Sequence, residues 1–155
     1  MNVFLADEQS VSVDAEALVG LAGLVLQKEG FPDATDVTVV LVDEEVMAGY
    51  HESHLGKPGP TDVLSFPLEH LRPGRPPAAP GQGAPPIHLG DVLIAPSYVA
   101  RQATGHGVGF GDEMALMLVH GMLHLLGYDH ESEADAEGME RRERELLAEV
   151  GVQRR

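Results

Sequence analysis

Apolar residues recur along this chain at two periods, and the switches between them mark out its elements. Val3 to Leu5 form a short apolar run suited to an edge strand. From Asp14 to Glu29, the residues Leu18, Leu21, Val25 and Leu26 fall at helical spacing. That spacing lines one face of a helix, with Ser12 or Asp14 as its cap and Gly30 just past its end. Asp36 to Val42 is rich in β-branched residues and predicts a strand. Asp43 is placed to cap a short helix from Glu44 to about Tyr50. Val63 to Phe66 and Leu89 to Ile94 are apolar runs of strand length, and Ser97 to Thr104 reads as a helix limited by Gly105 and Gly107. Asp112 is then placed to cap a strongly apolar helix that reaches Leu126. Asp135 to Val150 closes the chain with a helix patterned by Met139, Leu146 and Leu147. Strands interspersed with helices, rather than segregated from them, predict an α+β (mixed) fold: a single small β-sheet covered by helices.

Between Pro67 and Pro86 the periodicity disappears. Proline and glycine crowd the stretch from Arg72 to Pro86, which therefore predicts a mobile surface loop between two strands. Neither flank alone could make a core, so the loop at about 67–86 is read as an insertion in one domain spanning residues 1–155, not as a linker. A chain of 155 residues can bury roughly two-thirds of its unfolded surface. It has no cysteine, which excludes a disulfide framework and a thiolate metal site and suits a reducing compartment. The start, Met1 to Glu8, has no basic region ahead of an apolar core, and no apolar run approaches the roughly 20 residues of a membrane span. The expectation is a cytoplasmic protein with no membrane partner.

The candidate chemistry lies in His120, His124 and His130, at positions i, i+4 and i+10. Residues four apart on a helix share a face, so His120 and His124 can address one ion from a rigid support. Gly127 offers the φ > 0 residue that commonly ends a helix, after which the chain can turn back and bring His130 to the same point. Three neutral imidazoles leave the fourth tetrahedral position of one zinc ion open, the arrangement of a catalytic rather than a structural site. The spacing is also that of the metzincin metalloproteases, so the segment reads as a metzincin-like zinc-ligand helix. Those enzymes carry a general-base Glu directly after the first His, where this chain has Gly121. A metal-dependent hydrolase is expected, and the missing carboxylate disfavours a metallopeptidase.

The run from His120 to His130 resembles the HGxLHLxGYDH signature of the YbeY family of bacterial rRNA maturation factors. Pro60 to Pro67 and Leu89 to Ile94 match two further segments of that family in order and spacing. The resemblance covers essentially the whole chain. It implies a single-strand-specific endoribonuclease, zinc-dependent through His120, His124 and His130, that matures the 3′ end of small-subunit rRNA and serves ribosome quality control. It implies rRNA and the small ribosomal subunit or a ribosomal protein as partners, and no DNA. The non-catalytic alternative is a ribosome assembly factor whose zinc is structural. Members often carry an arginine about six residues before Thr61, where this chain has Leu55, so its role passes to His51, His54 or Lys57 or is dispensable.

Other residues have two readings each. Asp129 either orients a ligand imidazole or sits in a turn, and Asp91 has the same alternatives. Thr61, Asp62 and Ser65 either line the cleft or cap turns and edge a strand. Asp129, Asp62 and Ser65 are thus the candidate catalytic helpers beside a metal-bound water. His51 and His54 either hold a second ion or are solvated on a short helix, while His70, His88 and His106 lie in or beside loops with no partner at ligand spacing.

Net charge changes this picture. Ten Lys plus Arg against 25 Asp plus Glu give −15, which repels nucleic acid over a distance. The acids from Asp129 to Glu145, Glu143 among them, are expected on a solvated helix face away from the site. RNA would then need a local groove using Arg101, Lys57 and the metal, with Arg72 and Arg75 as further candidates. Otherwise it would need a ribosomal particle to deliver it.

Overall fold

The computed structural model describes residues 1–155. In chain order it comprises β1 (Asn2–Glu8), α1 (Ala15–Lys28), β2 (Thr35–Val42), α2 (Glu44–Leu55), β3 (Val63–Pro67), β4 (Ile87–Ile94), α3 (Pro96–His106), α4 (Phe110–Leu125) and α5 (Glu133–Ala148). The strands form one sheet in the order β1-β2-β4-β3, parallel except for the antiparallel β3–β4 pair. Parallel neighbours require a crossover, and α1 supplies it between β1 and β2. The expected α+β sheet covered by helices is what forms.

The two faces of the sheet are separated by strand alternation. On β2, Val37, Val39 and Leu41 face the main core with α1, α4 and α5, whereas Val42 packs with Met47 of α2. A bulge in β4 alters this alternation: Asp36 pairs with His88, but Thr38 pairs with Asp91. The extra residue lets Leu89, Val92 and Ile94 all join the main core while Leu93 faces α2. Gly90 sits in the bulge at φ 127°, and a Cβ there would stand 2.1 Å from the Phe66 carbonyl oxygen. Only glycine fits both constraints.

Helix α4 is the centre of the molecule, with a buried run from Glu113 to Val119. Each fully buried leucine or methionine contributes about 1.5–3 kcal/mol relative to exposure. The helix begins earlier than expected, at Phe110, because that ring packs against the main core. Asp112 is therefore not its cap. It lies in the first turn, where its charge favours the helix dipole, and Gly109 holds the cap position with no side-chain bond. Asp14 and Asp43 do cap α1 and α2, accepting from the N–H groups of Ala17 and Val46. Helix α2 runs beyond Tyr50 to Leu55 and ends where Gly56 adopts φ 67°. The stretch after β3 connects it to β4, with a short bridge between Arg72 and Arg75, and Leu71 packs against the main core.

Candidate metal centre

The last turns of α4 bring His120 and His124 to one side of the helix, and the chain then reverses. Gly127 makes the reversal at φ 99°, and a Cβ on it would lie 2.2 Å from the Leu71 carbonyl oxygen. The turn therefore needs glycine for its conformation and for its closeness to the β3–β4 connection. Beyond it His130 comes back to the helix. One ligand atom from each of His120, His124 and His130 lies within 4.8 Å of the others. The three rings sequence spacing selects are thus brought together.

What fixes these rings is more specific than proximity. His120 Nδ1 donates to Glu143 Oε2 at 2.7 Å, and His124 Nδ1 donates to the Tyr128 carbonyl at 3.0 Å. A carbonyl can only accept, so the His124 proton is on Nδ1. Burial, followed by the charges of His120 and His130, holds the His124 imidazole below its ordinary pKa, so it stays neutral. Burial pushes the Glu143 carboxyl up, yet hydrogen bonds from His120 and Arg154 outweigh it and the net shift is downward. Glu143 is thus an anion, and His120 turns its Nδ1–H toward that anion and away from the cluster. The Nε2 atoms of His120 and His124 then face each other at 3.1 Å, close enough to share a proton or to take one cation between them. Two nitrogens bound to one tetrahedral zinc at 2.0–2.1 Å stand about 3.3 Å apart. The donor set and its spacing fit a single cation.

Glu143 is the residue that sequence reasoning missed. It was expected on a solvated face with the other acids, but it is 1% exposed on α5 and points into the site. Its second oxygen accepts from Arg154 Nε at 2.8 Å. The signal was present: Met139, Glu143, Leu146 and Leu147 share the buried stripe of α5. Tyr128 is fixed in turn by its hydroxyl, which donates to Glu29 at 2.9 Å. Burial and the Glu29 charge push that phenol up to about 12, so it stays a donor.

The remaining candidates fall into place. Asp129 does not orient an imidazole through a hydrogen bond; its carboxylate closes a turn on the His130 N–H at 2.7 Å. Asp62 caps the start of β3, accepting from the N–H of Val63 and the hydroxyl of Thr61. Ser65 lines the cleft, and its hydroxyl donates to the Gly121 carbonyl at 2.8 Å. Asp91 pairs with Phe66 within the sheet and makes no hydrogen bond to the histidines. His51 turns Nδ1 to the Gly59 carbonyl, and His54 lies against Phe66. Gly121 faces the sheet, where a Cβ would lie 2.6 Å from Val92 Cγ1 and 3.0 Å from Val63 Cγ2. A carboxylate at 121 would be driven into the sheet, so the protease base is excluded by packing as well as by identity.

The histidines open onto a cavity of about 380 Å³ over β3, an edge strand of the sheet. His54 and Leu55 of α2, with Val63, Leu64, Ser65 and Pro67, complete its wall, and no acidic residue lines it. A larger hollow of about 620 Å³ between the starts of α1 and α4 is mostly apolar and holds no histidine, so the chemistry belongs to the smaller one. The expected local use of Arg101 fails, because Arg101 is bound to Glu44. Lys28, Arg142, Arg144, Arg154 and Arg155 are likewise paired with carboxylates, which leaves Lys57, Arg72, Arg75 and Arg141 outside any ion pair.

Comparison with known proteins agrees with this picture. Residues 4–151 match the family described as Endoribonuclease YbeY. A protein of Thermobifida fusca named Endoribonuclease YbeY is 45% identical over 148 residues, covering 96% of this chain and 93% of that one. A relative of the same name from a Mycobacterium species (strain KMS) is 41% identical over 149 residues, 96% of this chain and 83% of its own. The solution structure of a Thermotoga maritima protein superimposes with a TM-score of 0.58 at 25% identity, covering 97% of this chain and 91% of that one.

Proposed function

The chain belongs to the YbeY family of endoribonucleases, and from that membership we propose that it is a zinc-dependent endoribonuclease of ribosomal RNA, held at its metal by His120, His124 and His130. The observation that carries the metal reading is the convergence of His120, His124 and His130, one ligand atom of each within 4.8 Å of the others, with Nδ1 of His120 and of His124 held by a partner on the far side of its ring. Holding Nδ1 in this way turns Nε2 of both rings toward one point, the orientation that partners of metal-bound histidines impose. Three imidazoles with an open cavity in front suit zinc with a vacant coordination position, whereas structural zinc sites are closed by four protein ligands. That favours an enzyme over an assembly factor with a purely structural metal.

Zinc there would supply a positive charge for the phosphoryl group and lower the pKa of bound water toward about 7. The chain's own residues do the rest. Glu143 fixes the tautomer of His120 and raises its basicity, and the Tyr128 carbonyl does the same for His124. Ser65 ties β3 to α4, so the cavity wall and the histidines keep their separation. The absence of acids from that wall allows a phosphodiester to approach where most of the surface repels it.

The substrate in this reading is the 3′ region of small-subunit rRNA, presented in the cytoplasm by the ribosomal particle. No helix is long and apolar enough to cross a membrane. The test is metal analysis of the purified protein with cleavage of a precursor rRNA, with and without chelator. One bound zinc per chain and chelator-sensitive cleavage are expected, with both lost in His120→Ala. Cleavage that survives complete removal of metal would refute the zinc dependence.

A further inference from the structure

The geometry points to a subsite beside the histidines: an exposed shelf of Tyr50, His54, Leu55 and Phe66 that takes the face of one unpaired nucleobase flanking the cut phosphodiester. This rests on the RNA-cleavage reading above and adds where the neighbouring base lies.

The shelf comes from two elements. Tyr50 and His54 are four apart on α2 and share its face toward β3. Both rings lie against Phe66, Tyr50 edge-on at 5.8 Å between centroids and His54 tilted by 49° at 4.4 Å. Phe66 itself packs against the small core under α2, so the surface has a fixed base. Yet Tyr50 is 47% and Leu55 50% exposed, and Leu68 just beyond β3 is 65% exposed. One exposed apolar side chain needs no explanation, but a contiguous set at the rim of a cavity is the mark of a binding surface.

Its position decides what it binds. His54 and Leu55 wall the same cavity as His120, His124 and His130. The shelf has no lysine or arginine to grip a phosphate. It presents aromatic and aliphatic faces, which suit the flat, uncharged face of a base. Every base offers such a face, so the contact tolerates sequence. In a duplex these faces are covered by neighbouring pairs, so only an unpaired base can reach the shelf. The rings thereby select strand state while the metal addresses the backbone.

The test uses the full chain and a single-stranded oligoribonucleotide carrying one 2-aminopurine, whose fluorescence is quenched on stacking. With metal-free protein we expect saturable quenching. His54→Ala and Leu55→Ala should each weaken it about tenfold, and His54→Phe should retain it, since a phenyl ring still stacks. With zinc-loaded protein, an abasic residue beside the cut should lower kcat/KM about tenfold in wild type and add little to the defect of His54→Ala. Thermal unfolding of the variants should match wild type, because these side chains are at the surface. Cleavage of intact and abasic substrates at equal rates would overturn the subsite alone. So would a His54→Phe variant as defective as His54→Ala, which would assign His54 to proton transfer. If Leu55→Ala slowed cleavage of ribosomal particles but left free RNA unaffected, the shelf would be a protein-docking surface and the inference would fail. Failure of zinc-loaded wild type to cut any RNA would remove the endoribonuclease reading and the subsite with it.

Discussion

At the scale of single residues, Glu143 shows how one buried charge organises a site. Its carboxylate is 1% exposed and lies between His120 Nδ1 at 2.7 Å and Arg154 Nε at 2.8 Å. A buried anion is tolerable only when paired, and here both oxygens are used. Partners of metal-bound histidines typically change metal affinity 10–100-fold when removed. Glu143→Ala should therefore weaken zinc binding by about 10–100-fold in competition with a chromophoric chelator, and Glu143→Gln, which keeps an acceptor, should weaken it less. Equal affinity in both variants and wild type would show that Glu143 supports the fold alone. The histidines themselves were legible because spacing on a helix is a one-dimensional signal, and Gly127 marked where the third could return. Glu143 was not, because charge in a run of acids reads as solvated. Only its phase with Met139, Leu146 and Leu147 distinguishes it. Asp129, adjacent to His130 in sequence, looked the better orienter, yet a carboxylate next to a backbone N–H closes a local turn first.

At the scale of elements, the chain's strands and helices were readable from hydrophobic period, while their ends depended on contacts that are distant in sequence. Helix α2 looked like a short helix because Tyr50 to Leu55 is mostly polar; all of that stretch but His51 is exposed, and the helix's hold on the molecule is partly electrostatic. Glu44, in its first turn, accepts from Ser97 Oγ at 2.6 Å and from the guanidinium of Arg101 on α3. The Arg101 bond, then the Ser97 bond, bring the Glu44 carboxyl from 4.5 down to about 2. A carboxyl whose folded pKa is depressed contributes stability that is complete above its unfolded value and lost as pH falls through the folded one. The tie between α2 and α3 should thus hold above about pH 4.5 and fail as pH approaches about 2. Amide exchange in α2, which carries His54 and Leu55 of the cavity wall, should accelerate across that window. Glu44→Gln should exchange faster already at neutral pH and lose the step assigned to this pair. High salt should blunt the effect, because Arg101 is largely at the surface. An unchanged pH profile in Glu44→Gln would place the acid sensitivity of α2 elsewhere.

At the scale of the whole molecule, charge sets the terms on which RNA is met. The chain carries −15, and among its ten lysines and arginines only Lys57, Arg72, Arg75 and Arg141 lie outside ion pairs. The others neutralise acids, including the buried Glu29, Glu113 and Glu143, so they hold the fold together and are not offered to phosphate. Each phosphate contact releases counterions, so a protein with few free cations gains little affinity and has a shallow salt dependence. Long-range repulsion lowers the encounter rate further. A particle that binds the protein through another surface avoids both penalties by raising the local concentration of the cleavable strand, to the millimolar range for short tethers. Cleavage of rRNA within small-subunit precursor particles should therefore exceed cleavage of the same RNA stripped of protein. Binding to stripped RNA should be weak, with a log–log salt slope no steeper than about four contacts would give. Comparing the two substrates at low and physiological salt decides between delivery and direct recognition. Tight binding to naked RNA with a steep slope would require a basic track that the arrangement of these arginines does not provide.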